Sequence, residues 1–538
     1  MNHFYDIHCH AFNLSHANLI AIIKRLFSEF ARTSKKGVFI PLLIFSPIIL
    51  IIAIPILFFL GLAFLFFPNT IKKLFIKLFD IFGYKIMNFL SIMQNDLGSQ
   101  FIILDNDVKD LFKNKPIEIG ENKYDKIVLT PLMMDFGYKG IDSFKNIHYN
   151  KIYRKTIAEQ ATDLFNGIKK YRDNRPDINH NEEGDEDKEK GIFEIYPFLG
   201  LNTQNYPLEN ETSATMDKKK PKIDSLPEEL RAKIKFFPPR FHFRGEMNEE
   251  EREKIKAIFK GVDKDRIERI YENSQNIKER NNLKKLLDKY FKDFSPEESP
   301  EDRYNNLYQK FLEMKDYDGD IDNLGGYNFA GIKIYPPLGF NPWPVNDEIE
   351  LQKVCYLYNY CQERSIPITT HCSKGGFRVV GKETTEEYNS PVTWKKVLDE
   401  YPELKLNFAH FGGKLSAGKW QKKIVELILN DKYPNVYVDI SYVSFNDKSY
   451  KSLEKTINKL CKSDDDEKEK VKSKILFGTD FSVNLFEINS YQDYIKFFAN
   501  TGKFTKNKNS FCCKNPQEFL FSPNREIKKE DAQGPIKP

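Results

Sequence analysis

The stretch Asp6-Ile7-His8-Cys9-His10 places two histidines two positions apart near the start of the chain. Side chains at positions i and i+2 share a face only in a β-strand, because an α-helix would turn them about 200° apart. Two imidazoles side by side at the end of a strand form half of a transition-metal site. The stretch therefore predicts a strand over residues 4–10 that presents His8 and His10 to a metal ion.

Four later segments each carry one more group suited to metal or acid–base chemistry, close to the end of an apolar run. The loops that follow are rich in Gly, Ser or Pro. Polar groups at the carboxyl ends of successive parallel strands are typical of the active sites of (β/α)₈ barrels. The four groups are Lys333 in 331–335, His371 in 366–371, His410 in 404–410 and Asp480 in 474–480.

Eight short apolar segments are candidate strands, and amphipathic helical patterns separate several of them. Alternation of strand and helix favours a parallel sheet, and eight such strands favour its closure into a barrel. The predicted fold is α/β, a (β/α)₈ TIM barrel with large helical insertions, one of them strongly hydrophobic. The candidate strands are 4–10, 126–134, 192–199, 329–335, 366–371, 404–410, 436–441 and 474–480, and the helices include 348–364, 391–400, 418–430 and 449–461.

The pleat of the fourth strand predicts the direction of Lys333. Ile332 and Ile334 share one face, whereas Lys333 lies on the other. If the isoleucines pack against helices, Lys333 points into the barrel, where a lysine needs a partner or a function.

These segments together resemble the amidohydrolase superfamily, and most closely its amidohydrolase-related, decarboxylase-like branch. The resemblance covers the first dozen residues and roughly 125–200 and 326–522. Its motifs are Asp-Ile-His-Cys-His (6–10), Pro-Phe-Leu-Gly-Leu-Asn (197–202), Gly-Ile-Lys-Ile-Tyr-Pro (331–336), Ile-Pro-Ile-Thr-Thr-His (366–371), Asn-Phe-Ala-His-Phe-Gly-Gly (407–413), Asn-Val-Tyr-Val-Asp-Ile-Ser (435–441), Ile-Leu-Phe-Gly-Thr-Asp-Phe (475–481) and Asn-Pro-Gln-Glu-Phe-Leu-Phe (515–521).

The resemblance implies that His8, His10, His371 and Asp480 are metal ligands. It implies that Asp480 transfers a proton from the attacking water to the leaving group, and that His410 binds the oxyanion, shuttles the proton or serves as a further ligand. One zinc ion suits these donors best, with two ions, or Mn²⁺, Fe²⁺ or Co²⁺, as alternatives. Lys333 is either a carboxylated bridge between two metals, as in two-metal members, or a lysine without that role that contacts substrate.

Other charged residues have commoner explanations. A single histidine is more often an ordinary buried polar residue than a ligand, and this interpretation is kept for the other five histidines. Asp480 by itself could cap the segment that follows it. Lys374 and Arg378 follow a site strand and could bind an anionic substrate group, although each is more commonly a solvated loop charge.

Residues 38–67 form a run of thirty residues without a charge, which is long enough for a membrane-spanning helix. A single crossing would separate His8 and His10 from the rest of the site, so both ends must lie on one side of the bilayer. Three prolines and the basic flanks favour a monotopic or re-entrant hairpin on the cytoplasmic face. The alternative is a hydrophobic subdomain or oligomer interface in a soluble cytoplasmic protein.

The remaining length indicates that the barrel domain is discontinuous in sequence and carries large insertions. The barrel comprises 1–10 and 125–522, residues 11–124 form the membrane-associating insertion, and 176–190 form a disordered acidic loop. Residues 203–326 form a charged helical insertion that would serve as a lid, and 523–538 form a C-terminal tail. With 82 basic and 77 acidic residues, the chain lacks the large excess of positive charge that is typical of nucleic-acid-binding proteins. Its seven cysteines do not suggest the disulfide framework of a secreted protein.

The sequence therefore predicts a metal-dependent hydrolase that cleaves an ester, lactone or amide at the cytoplasmic face of a membrane. A non-oxidative decarboxylase is the enzymatic alternative, and it would need an anion clamp near the metal. A membrane-bound scaffold or effector with a vestigial site is the alternative from another class. The expected partners are a small-molecule substrate, amphiphilic if the membrane segment bears on it, and the membrane itself, and the chain is compatible with a homo-oligomer.

Overall fold

The chain folds around a barrel of parallel strands. The computed structural model describes residues 2–16, 84–112, 116–136, 155–175, 190–206, 234–237, 240–243, 283–378, 380–413, 415–461 and 464–525. Apolar segments bounded by turn residues form the barrel strands, and their residues are buried on both faces, as expected for parallel strands covered by helices.

The barrel strands follow one another in chain order, β1-β4-β6-β9-β10-β11-β12-β13. All eight predicted strands are present, most of them shortened at the ends. The third is divided at Pro197, which lacks an N–H for the ladder. The barrel strands are β1 (Phe4–His10), β4 (Ile127–Leu132), β5 (Phe193–Ile195) with β6 (Phe198–Gly200), β9 (Gly331–Ile334), β10 (Ile368–Thr370), β11 (Leu406–Phe408), β12 (Val436–Asp439) and β13 (Ile475–Leu476).

The barrel closes where the chain beyond β13 returns to β1. The Ile7 amide donates to the Phe477 carbonyl at 3.1 Å, and Cys9 and Phe481 form a parallel bridge. An aromatic cluster covers this seam on the outside, because the ring of Phe477 lies 5.0 Å from Phe4 and 4.5 Å from Phe498. The fold is thus the predicted (β/α)₈ barrel.

Helices surround the barrel, and their ends follow local capping chemistry. One begins at Pro391 after the N-cap Ser390 and ends at Glu400, as the sequence predicts. The helices are α1 (Tyr84–Met93), α2 (Leu97–Phe112), α3 (Ile157–Asn174), α4 (Leu283–Phe291), α5 (Pro300–Glu313), α6 (Glu348–Glu363), α7 (Lys382–Asn389), α8 (Pro391–Glu400), α9 (Lys419–Leu429), α10 (Asp447–Leu460), α11 (Asp465–Lys472), α12 (Tyr491–Asn500) and α13 (Asn515–Phe521).

Several elements of the predicted insertions are described, and some of them contact the barrel. In the first insertion, α1 places Phe89 4.7 Å from Phe486, and a hairpin of β2 (Ile117–Ile119) and β3 (Asn122–Tyr124) precedes β4. In the second, β7 (Ile234–Phe237) and β8 (Arg240–Phe243) pair antiparallel. Its helix α5 lies at the amino ends of the strands, where the Arg303 guanidinium donates to the Ser365 carbonyl at 2.8 Å, so this helix does not form a lid over the opposite end.

The predicted membrane segment, residues 38–67, lies outside the described residues, as do 176–189 of the acidic loop, most of 207–282 and the tail from residue 526. Among the helices that the structure describes, none combines the length and the apolar character needed to cross a bilayer.

Candidate metal centre

Three of the predicted ligands meet at the carboxyl ends of β1 and β13. The Oδ1 atom of Asp480 lies 3.2 Å from the Nε2 atom of His8 and 2.9 Å from the Nε2 atom of His10. One ligand atom from each residue lies within 4.8 Å of the others, and all three side chains are buried. The strand predicted from the His-x-His spacing thus brings both imidazoles to one carboxylate.

The second nitrogen of His8 has its own partner. Its Nδ1 atom lies 2.9 Å from the Oδ2 atom of Asp439, a carboxylate at the end of β12. A donor on Nδ1 leaves the lone pair on Nε2, the atom that faces Asp480. Metal-binding histidines commonly have such a carboxylate partner, because it fixes both tautomer and ring orientation.

Asp439 also organises the neighbouring strand. Its Oδ2 atom accepts from the Asn407 side chain at 2.8 Å, and its Oδ1 atom accepts from the His410 amide at 2.9 Å and the Ser441 hydroxyl. The carboxylate therefore ties β11, β12 and β1 together at the level of the site.

His371 and His410 form a separate pair. The Nδ1 atom of His371 lies 3.2 Å from the Nε2 atom of His410, and its Nε2 atom lies 3.0 Å from the Ser373 hydroxyl. His371 is therefore adjacent to His410 and is absent from the close group of His8, His10 and Asp480. Nδ1 of His410 donates to the Ser441 carbonyl at 3.1 Å, and Nε2 of His371 lies 3.3 Å from the Gly375 carbonyl. Because a carbonyl only accepts, the facing atoms, His410 Nε2 and His371 Nδ1, both carry lone pairs when the rings are neutral.

Lys333 points into the barrel, as the strand pleat predicts. Its side chain is buried, and its Nζ atom has no hydrogen-bond partner among the described residues. Burial lowers the pKa of Lys333 to about 8, although the charges of Asp439 and Asp480 oppose this shift. A buried amine without a partner is costly, which indicates a group prepared for a ligand or a modification.

The buried charges influence one another strongly. Burial raises the pKa of Asp480, but the imidazoles of His410, His10 and His8 outweigh it and hold that pKa well below its usual range. Burial also lowers the pKa of His410 to about 4, so this imidazole is neutral at pH 7. Burial lowers the pKa of His8 too, but the negative charge of Asp439 outweighs it and raises the net value.

Three site strands end in strained backbone. His410, Tyr442 and Asp480 have φ angles of 60°, 59° and 62°, in the left-handed region that residues other than glycine rarely adopt. Each follows its strand directly or by a few residues. Such conformations cost roughly 1–3 kcal/mol each and concentrate at functional sites, where the surrounding packing maintains them.

The two predicted substrate contacts differ in exposure. Lys374 is 67% exposed and its Nζ atom lies 3.7 Å from Glu386, so the solvated explanation describes it well. Arg378 is only 8% exposed and lies in the loop that follows His371. Of the two predicted substrate contacts, Arg378 is thus the one shielded from solvent.

The donor set fits a transition-metal ion. Ligands bound tetrahedrally at about 2.0–2.1 Å lie roughly 3.3 Å apart, close to the spacings around Asp480 Oδ1. Among the described residues, His8 Nε2 and Asp480 Oδ1 are buried without a hydrogen bond of acceptable geometry. Two imidazoles and a carboxylate suit Zn²⁺ and related divalent ions.

Asp439, Ser441, Asn407 and Asp6 have no role predicted from the sequence. Asp439 and Ser441 lie within a quoted motif, and a carboxylate at the end of a barrel strand was the available signal. The contact between Asp439 and His8 spans 431 positions, so the pairing itself needs the fold.

Comparison with known proteins identifies a family for part of the chain. Residues 318–521 match the sequence model of a family described as Amidohydrolase. No curated protein matches the chain significantly. Similar solved structures include a probable 2-pyrone-4,6-dicarboxylic acid hydrolase from Acinetobacter baumannii with citric acid bound, at 17% identity and a TM-score of 0.26 over 40% of this chain and 68% of that one.

Two further solved structures have similar statistics. Amidohydrolase 2 from Bifidobacterium longum subsp. infantis is 14% identical, with a TM-score of 0.24 over 36% of this chain and 62% of that one. The 5-carboxyvanillate decarboxylase from Sphingomonas paucimobilis is 12% identical, with a TM-score of 0.24 over 41% of this chain and 64% of that one. The segment that matches the family model, residues 318–521, includes His371, His410, Asp439 and Asp480.

Proposed function

We propose that this protein is a metal-dependent hydrolase that cleaves an ester, lactone or amide. The observation that carries the proposal is the convergence of His8, His10 and Asp480 on one buried point, with ligand atoms that lack hydrogen bonds among the described residues. One Zn²⁺ is the ion proposed, with Mn²⁺, Fe²⁺ or Co²⁺ as substitutes. His371 would complete the ligand set by turning its ring away from Ser373.

A bound divalent ion would supply Lewis acidity, which lowers the pKa of a coordinated water and polarises a substrate carbonyl. The chain supplies the proton transfer. Asp480 remains ionised at neutral pH because the surrounding imidazoles hold its pKa well below its usual range, and it is thus available as an acceptor for the proton of the attacking water. From Asp480 the proton passes to the leaving group.

The histidine pair supports a shuttle role for His410. Its Nδ1 atom donates to the Ser441 carbonyl, and burial keeps the pKa of His410 at about 4, so the ring is neutral and its Nε2 atom has a lone pair able to receive a proton. Oxyanion binding would instead require a donor at that atom. The hydrogen-bond pattern therefore favours proton relay over oxyanion stabilisation for this residue.

A decarboxylase is the second candidate, because a buried lysine lies on a site strand and a nearly buried arginine lies in the loop after another. The Nζ atom of Lys333 lacks a hydrogen bond among the described residues, and Arg378 is nearly buried in the loop after β10. Together they would bind the carboxylate of an aromatic or unsaturated acid. We expect Arg378→Ala to raise KM at least about 10-fold for an anionic substrate, while Lys374→Ala stays within about threefold.

Attachment to the cytoplasmic face of a membrane is part of the proposal. The flanks of the hydrophobic run support it, since residues 11–16 follow the carboxyl end of β1 and α1 begins at Tyr84 beside the loop after β13. The Leu14 amide donates to the Met93 carbonyl at 2.9 Å, which joins the two flanks. Both flanks therefore lie on the side of the barrel that carries His8, as a hairpin anchor requires.

Metal stoichiometry and turnover test the enzymatic proposal. The protein is purified without chelators, analysed for bound metals, and assayed against lactones, esters, amides and aromatic carboxylic acids before and after metal removal. About one zinc per chain, with hydrolysis lost on removal and restored on addition, is the expected result. Two metals per chain would make Lys333 a bridging carbamate, and carboxylate loss without hydrolysis would favour the decarboxylase.

A deletion tests the membrane proposal separately. Removal of residues 38–67 should release the protein from sedimenting membranes and leave the metal content unchanged, because His8 and Asp480 lie outside the deleted run. Continued sedimentation of a correctly metallated deletion variant would show that the anchor assignment is wrong.

A further inference from the structure

The metal centre lies across the seam of the barrel. His8 and His10 belong to β1, whereas Asp480 follows β13, which contains only two residues. Beyond β13, the amides of Thr479 and Asp480 both donate to the His8 carbonyl, at 3.1 and 2.6 Å. Regular strand pairing therefore ends before the site, and irregular contacts hold the two halves together.

Asp6 supplies most of these additional contacts. Its Oδ1 atom accepts from the Thr479 amide at 2.9 Å and the His8 amide at 3.3 Å. Its Oδ2 atom accepts from the Thr479 hydroxyl at 2.7 Å and the Tyr491 hydroxyl at 3.1 Å. The fully buried carboxylate thus joins β1, the chain before Asp480 and the first residue of α12.

At the seam, the backbone at Gly478 lies so close to His8 that there is no room for a side chain between them. A Cβ atom at Gly478 would lie 2.6 Å from the Cβ atom of His8, so only glycine permits this approach of the two backbones. Gly478 and Asp480 are two residues apart. A small shift of this segment along β1 would therefore change the distances from Asp480 to both imidazoles.

We propose that Asp6 is a positioning residue that sets the spacing of His8 and His10 from Asp480 and thereby the affinity for metal. This inference rests on the proposed metal centre. Asp6 does not touch the proposed ion. It acts through Thr479, whose amide and hydroxyl it holds, and through the backbone of His8.

The Asp6 carboxylate accepts all four contacts, from two N–H groups on Oδ1 and two O–H groups on Oδ2, whereas an asparagine offers one acceptor oxygen and an NH₂ donor. In Asp6→Asn the oxygen can still serve the two amides, but the NH₂ then donates to the Thr479 and Tyr491 hydroxyls, which must turn and lose Asp6 as the acceptor of their own O–H groups. Asp6→Asn therefore retains the volume but deprives two buried hydroxyls of this acceptor, and we expect the Thr479 segment to shift.

Metal titration of Asp6→Asn tests the proposal on the full-length chain. Asp105→Asn is a matched control, since Asp105 is also fully buried and accepts from a tyrosine hydroxyl, Tyr171 at 2.6 Å, and a backbone amide, Ile192 at 2.9 Å. The measurements are the Kd for Zn²⁺ by chelator competition, the visible spectrum with Co²⁺, and the melting temperature of metal-free protein.

We expect Asp6→Asn to raise the Kd for Zn²⁺ about 10-fold or more and to alter the Co²⁺ spectrum. Asp105→Asn should lower the melting temperature and leave both metal measurements at the wild-type values. A wild-type Kd and spectrum in folded Asp6→Asn would overturn the positioning role. Failure of the wild-type protein to bind either ion would instead overturn the proposed metal centre.

If Asp6→Asn does not fold, Tyr491→Phe decides the question, because it deletes one hydroxyl and keeps the carboxylate. A raised Kd for Zn²⁺ in folded Tyr491→Phe supports the positioning role of Asp6. An unchanged Kd and Co²⁺ spectrum in this variant overturn it.

Discussion

The two ends of the barrel both bury ionisable groups, but they differ in how completely those groups are paired. There Glu194 lies 3.1 Å from the Lys126 ammonium and accepts from Tyr196 at 2.6 Å and Tyr304 at 3.2 Å. At the carboxyl end, Asp480 and Lys333 have atoms without hydrogen bonds among the described residues. Complete pairing stabilises a fold, whereas converging groups without partners indicate a site that a ligand completes.

The largest effect is expected when the ligands at the carboxyl end are removed. His8→Ala/His10→Ala deletes two donors to the proposed ion, and turnover should fall at least about 1,000-fold because the Lewis acid is lost. Elemental analysis should find less than about a tenth of the wild-type metal. Full metal content in this double variant would contradict the assigned centre.

A substitution at the amino end should lower the stability of the fold and leave metal binding unchanged. Glu194→Gln removes the carboxylate charge that lies 3.1 Å from the buried Lys126 ammonium, and the free energy of unfolding should fall by about 3–5 kcal/mol in urea titrations. Glu118→Gln is the control, since Glu118 lies 3.1 Å from Lys123 but both side chains are more than half exposed. Its effect should stay below about 1 kcal/mol. Loss of metal from folded Glu194→Gln would show that the amino end also determines metal binding, contrary to the comparison.

A second amino-end group should give a pH signature. Lys474 donates to the Pro434 carbonyl at 2.8 Å, and burial lowers its pKa from 10.5 to about 8. Between these values the unfolded chain binds more protons than the folded one, so wild-type stability should rise with pH in that window, by at most about 3 kcal/mol. Urea titrations from pH 7 to 11 should show this rise missing in Lys474→Met, and parallel curves would contradict the assignment.

The smallest effect concerns the residue that orients His8. Asp439→Asn should leave the ligand set in place but weaken control of the His8 tautomer, raising the Kd for Zn²⁺ about 10–100-fold. Chelator competition measures it, with Glu194→Gln as the variant that retains affinity. An unchanged Kd would show that Asp439 serves only the packing of β11 and β12.

The sequence allowed much of the fold to be predicted. Parallel strands buried on both faces are visible as apolar runs, so all eight barrel strands were located, and the pleat gave the direction of Lys333. The fold confirms the barrel, and the family match over residues 318–521 agrees with the amidohydrolase resemblance.

Contacts across long separations could not be predicted. The position of Asp439 next to His8, and of His371 next to His410, depends on how neighbouring strands are staggered, which local patterns do not encode. The ligand and catalytic roles of the site residues, the metal and the membrane segment stay predictions. The predicted strand 474–480 is longer than the two-residue β13, because the amides of Thr479 and Asp480 both donate to the His8 carbonyl instead of continuing a regular ladder.

The seam between β1 and β13 has a consequence for biosynthesis. Asp6 and Thr479 are 473 residues apart, so the two sides of the site meet only when nearly the whole chain has left the ribosome. At about 5–20 residues per second, His8 and His10 wait roughly half a minute to a minute and a half for Asp480. Chains truncated before that residue lack the third ligand, so an incomplete translation product cannot assemble the centre.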